Sequence, residues 1–135
     1  MIFLKIGSFG NVVFQVSTKK TLTFNEFQRS GEARWESHDV LMNKPRIEFQ
    51  GPGLEELSLT VLFKAELGIN PLKELDKLRK MRDSGTAAPF VIGGKPISSN
   101  YFVLQNLAER YTKIDGRGNV LAAEADLTLR EYVVV

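Results

Sequence analysis

At 135 residues the chain is long enough for one domain with its own core and short for two. Eighteen Lys and Arg against sixteen Asp and Glu leave a formal charge of +2, too little to argue for nucleic acid or an acidic membrane. The absence of cysteine excludes disulfides, thiol nucleophiles and thiolate metal sites, and ordinary shares of apolar and charged residues favour a globular fold over disorder.

In chain order, the N-terminal "MIFLKIGSFGNVVF" breaks its apolar run at Lys5, so neither a signal peptide nor a membrane span is expected. Gly7 and Gly10 read as turn residues, because no helix and no Lys-Ser or Lys-Thr pair follows to make a phosphate loop. From Val12 to Phe49 the pattern is mostly period two: Val12, Phe14 and Val16, then Thr21 and Thr23 alternating with Leu22 and Phe24, then Ile47 and Phe49. Breaks at Ser17 to Lys20, at Ser30-Gly31 and at Asn43 to Pro45 predict hairpins. Gly51-Pro52-Gly53 predicts a turn that launches a long strand, and a positive φ at Gly53 would make Gly53→Val cost about 1–3 kcal/mol. In that strand Leu57, Leu59, Val61, Phe63 and Ala65 share the core face, with Leu62 the exception.

Asn70-Pro71 is a helix start and Gly85 a helix stop, with Leu72, Leu75, Leu78 and Met81 as the apolar stripe and Lys73, Glu74, Lys77 and Lys80 opposite. Phe90 to Ile92 and the turn "GGKP" lead to two long strands, Tyr101 to Ile114 and Val120 to Val133. Asp115-Gly116 opens the tight hairpin between them. The sum is a single α+β domain over residues 1–135, an antiparallel β-sandwich or small barrel with one flanking helix.

The chemistry-bearing candidates are weak. In "RWESHDV" the neighbours Ser37, His38 and Asp39 point alternately to opposite faces of a strand and cannot form a catalytic triad. Glu36 and His38 share a face, yet no second His and no Cys completes a zinc site. Adjacent Glu55 and Glu56 do not make the facing carboxylate pair of glycoside chemistry. Trp35, Tyr101 and Tyr111 lack an interleaved basic stripe and suit a core or subunit contact better than nucleic-acid stacking. No catalytic, cofactor or metal residue is expected, and the protein is not expected to be an enzyme. A small ligand-binding barrel using Glu36 and His38, or a nucleic-acid contact through Lys73, Lys77, Arg79, Lys80 and Arg82, is the competing class.

The order of signals carries more than any one of them: Gly51, Pro52, Gly53, then Glu56 and Ser58, then Leu72 or Leu75, Leu78, Met81 and Gly85, then Leu127, Leu129, Arg130, Glu131 and Tyr132. From Phe9 to Tyr132 this resembles the phage tail protein U family of contractile-tailed phages and headless tail particles, with acidic Glu131 a departure from some relatives. The resemblance implies a tail-tube-like fold and a structural role, with rings built by pairing sheets between subunits. It implies a tube initiator or baseplate-hub ring of six subunits, with the tail tube protein and hub proteins as partners; a tail terminator at the head-proximal end is the alternative. It implies assembly in the host cytoplasm followed by incorporation into the released particle. The apolar end Tyr132, Val133, Val134 and Val135 would be an aggregation hazard if left free, so it and Trp35 are the expected subunit contacts.

Overall fold

The computed structural model describes residues 4–10, 12–16, 21–65 and 70–134, with side chains described at 8–10, 26–65 and 70–134. The elements are β1 (Leu4–Phe9), β2 (Val12–Val16), β3 (Thr21–Ser30), β4 (Ala33–His38), β5 (Arg46–Pro52), β6 (Glu56–Lys64), α1 (Pro71–Ser84), β7 (Ala87–Ala88), β8 (Phe90–Ile92), β9 (Lys95–Pro96), β10 (Tyr101–Ile114) and β11 (Val120–Tyr132). Nine strands hydrogen-bond in the order β7-β10-β11-β6-β3-β2-β1-β8-β9, each neighbour antiparallel, while β4 and β5 pair with each other apart from that sheet. The edge strand β7 and the penultimate strand at the far end, β8, are separated in the chain only by Pro89. The described strands thus make a strongly wrapped sheet and not a closed barrel.

Alternation builds the core. Leu57, Leu59, Val61 and Phe63 on β6 and Ala123, Ala125, Leu127 and Leu129 on β11 are buried, with β6 and β11 in direct register from Glu56 against Arg130 to Lys64 against Ala122. Phe102, Leu104 and Leu107 continue the layer on β10, and Phe9, Phe27 and Phe90 cluster where β1, β3 and β8 meet, at centroid distances of 5.5 and 6.0 Å from Phe90. Among the described residues no polar or charged side chain is buried. β3 carries a bulge between Asn25 and Gln28, with Glu26 at φ 53°, which offsets its alternation before Phe27.

The helix begins and ends on the residues that local chemistry selects. Asn70 Oδ1 accepts from Lys73 N–H at 3.3 Å, Pro71 occupies the first turn, and Gly85 closes the helix at φ 65° with its N–H on the Arg82 carbonyl. Leu75, Leu78 and Met81 face the sheet, but Leu72 is 47% exposed. A strict spacing of three falls about 60° short of a full turn at each step, so four such positions cannot share one face. Gly10 does sit in a turn, between β1 and β2, but Gly7 lies inside β1 opposite Phe14 and Ile92. The expected break at residues 17–20 lies outside the described residues.

Candidate assembly surfaces

Gly51-Pro52-Gly53 is not a plain turn. Gly51 and Pro52 finish β5, opposite Arg34 and Ala33, and the left-handed conformation falls on Gly51 (φ 112°) and not on Gly53. Gly53 is required for a different reason: its N–H donates to the Glu32 carbonyl at 2.8 Å, and a Cβ there would come within 2.5 Å of that oxygen. This close approach fixes the root of a two-stranded arm, β4–β5. The arm is exposed on both faces along β4 and most of β5, and Arg34 ties the root by donating to the carbonyls of Gln50 at 3.1 Å and Pro52 at 3.2 Å.

Period two makes the arm amphipathic. Trp35 and Phe49 are cross-strand partners in edge contact at 5.2 Å, and Ile47 lies on the same face opposite Ser37. Arg34, Glu36, His38, Arg46 and Glu48 take the other face. There His38 Nε2 lies 3.0 Å from Glu48 Oε2 in solvent, while Ser37 points away, so Ser37, His38 and Asp39 form no triad. At the tip the Asn43 N–H donates to the Val40 carbonyl at 3.2 Å, closing a turn that leaves Leu41 89% and Met42 95% exposed. Met42 holds φ 60°, a conformation uncommon outside glycine and asparagine.

A second set of surfaces lies on the body. β7 covers only Phe102 and Val103 on the outer edge of β10, so the edge from Leu104 to Ile114 has no strand partner among the described residues. The β10–β11 end is closed by Asp115, whose carboxylate accepts from the N–H groups of Arg117 at 2.8 Å and Asn119 at 2.9 Å. The positive φ falls on Gly118 (85°), leaving Gly116 unremarkable. Tyr132 pairs with Tyr101, and Tyr132, Val133 and Val134 are each about half exposed or more; Val135 lies outside the described residues. Val133 and Val134 do not pack back into the core.

Acidic Glu131 has a structural task. Its carboxylate accepts from Asn100 Nδ2 at 3.0 Å, Ser98 Oγ at 2.9 Å and the Glu55 N–H at 3.2 Å, while its own N–H donates to the Glu55 carbonyl at 2.9 Å. The bonds from Asn100, Ser98 and the Glu55 backbone, with nearby Arg29, hold its pKa below the ordinary glutamate value against partial burial. The helix is held similarly. Arg79 makes a two-pronged contact with Glu109 at 2.7 and 3.0 Å and donates to Tyr111 at 3.1 Å, which keeps Glu109 below its usual pKa.

The helix cations do not form a free basic stripe. Lys77 meets Glu74 at 3.3 Å, Lys80 meets Asp76 at 3.1 Å, Arg82 meets Asp83 at 2.9 Å and Arg79 is committed to Glu109, so most of that charge is locally cancelled. Sequence reasoning named Trp35 and the C-terminal end as contacts, of which Trp35, Tyr132, Val133 and Val134 are exposed, but passed over Leu41 and Met42. The available signal was their type: adjacent large apolar residues in a turn, where polar residues usually dominate.

A sheet with a long edge that has no strand partner among the described residues, a projecting amphipathic arm and exposed apolar residues after β11 is shaped for docking against other proteins. The family model described as Phage P2 GpU matches residues 10–133, and no curated protein matches the chain. The chain belongs to the phage tail protein U family and is a structural protein of phage tails. Among the described residues no helix is long and apolar enough to cross a membrane.

Proposed function

We propose that this chain is the ring-forming initiator of the tail tube, six copies of which sit on the baseplate hub and present the tube protein with its first surface. The observation that carries the reading is the β4–β5 arm, a ribbon exposed on both faces beyond its root. Two-stranded ribbons are marginal alone in water, and an amphipathic one gains its stability by laying its apolar face on a neighbour. The unpartnered β10 edge and the exposed valines Val133 and Val134 support the same reading, since ring closure covers edges and apolar ends that are hazards in a free subunit. The work is geometric, matching the hub to the ring pattern of the tube without bond chemistry. Assembly takes place in the host cytoplasm before the particle is released.

Cryo-electron microscopy of assembled tails tests the reading. Six copies between hub and tube are expected. A ring at the head-proximal end would make the protein a terminator, and one or two copies per particle would overturn ring formation itself. His38→Ala separates the enzyme class: tails that assemble and act normally leave no essential chemistry at His38.

A further inference from the structure

We propose that the tip of the arm in one copy, Leu41 and Met42, seats in the cleft at the root of the arm in the next copy. This deepens the ring reading above and rests on it. The cleft, about 1130 Å³, has Trp35, Leu54 and Val133 among its apolar lining and Glu32, Glu56 and Arg130 among its charged lining. It is wide and open, larger than a typical small-molecule pocket, and suits a turn of polypeptide.

The occupant follows from three observations. The six residues of β4 span about 20 Å, so a ribbon anchored at the cleft carries its own tip well away from it, and the tip that fills the site comes from another copy. The charges match. Asp39 and Lys44 flank the tip without an ion pair among the described residues, and Glu32 in the cleft is likewise without one, while Arg130 and Glu56 face each other across β11 and β6; Asp39 is complementary to Arg130 and Lys44 to Glu32. Third, the tip combines near-complete exposure of two large apolar side chains with a left-handed methionine, a cost the free chain has no reason to bear. Tip and cleft are unlike surfaces of the same molecule, so their contact is head-to-tail, the kind that builds a ring when its rotation closes.

The chain has no cysteine, which makes the test clean. Tails are assembled from a mixture of two variants, Met42→Cys and Leu54→Cys, oxidised, and resolved without reductant. The expected product is a disulfide-linked dimer of this chain requiring both variants, with Met42→Cys mixed with Lys113→Cys giving none. Dimers from Met42→Cys alone would show a tip-to-tip contact and overturn the proposal, as would cross-linking of the Met42→Cys variant to a different tail protein. A six-copy ring in the micrographs with no dimer from the Met42→Cys and Leu54→Cys mixture sinks this contact and leaves the ring reading standing, whereas absence of any ring sinks both.

Discussion

Two side chains show how much a single position can carry. Gly53 is held by a carbonyl, since its N–H donates to the Glu32 oxygen and a Cβ would collide with the same atom. Gly53→Val is expected to lower stability by about 1–3 kcal/mol, read as a fall in the melting temperature, with loss at the arm's root. Gly51→Ala tests the alternative, since its strain is conformational and its nearest neighbour is the movable end of Arg34. Glu131 works through charge. Its pKa is lowered in the folded chain, so its stabilisation is complete above the ordinary glutamate range and disappears as pH falls through the folded value. Glu131→Gln is expected to cost about 1.5–3 kcal/mol at neutral pH and progressively less as pH falls below the ordinary glutamate range, where the parent also loses its carboxylate. Parallel denaturation curves for parent and variant at all pH values would contradict this.

Elements differ in how far their own residues specify them. The helix was legible because Asn70, Pro71 and Gly85 act within a turn of the places they define, whereas Leu72 was misassigned because spacing alone hid the angular drift. Leu78→Ala should therefore cost about 2–5 kcal/mol and Leu72→Ala well under 1 kcal/mol, measured by urea denaturation. Comparable losses at both would restore Leu72 to the buried stripe. The arm was legible as strands but not as an arm. Trp35, Ile47 and Phe49 alternate like any half-buried strand, and whether a face is covered depends on elements far away in sequence. Glu131 was opaque for the same reason, since its partner Glu55 lies 76 residues earlier.

For the whole molecule, the exposed chain end and the central strand before it have different fates. β11 runs between β10 and β6 and supplies Leu127 and Leu129 to the core, while Val133 and Val134 beyond it face solvent. Removing Val133 to Val135 is expected to leave the melting temperature of the isolated chain within about a degree and to abolish incorporation into tails. A large fall in melting temperature would place these residues in the domain's own core. The α+β class and the helix could be read from local pattern; the order of the strands could not, because it joins segments at opposite ends of the chain.

That order also governs when the protein becomes usable during its synthesis. β1 must find β8, which lies beyond the helix, so that Gly7 meets Ile92, and β6 must wait for β11 to fill its open side. Such non-local pairing is slow, on the order of milliseconds to seconds, and cannot finish while β11 is inside the ribosome. A prematurely terminated chain without β11 lacks the strand that joins β10 to β6, so one side of β6 stays unpaired and the core loses Ala123, Ala125, Leu127 and Leu129. Translation thereby screens the building blocks: only chains that include β11 acquire the shape that a growing tail can accept.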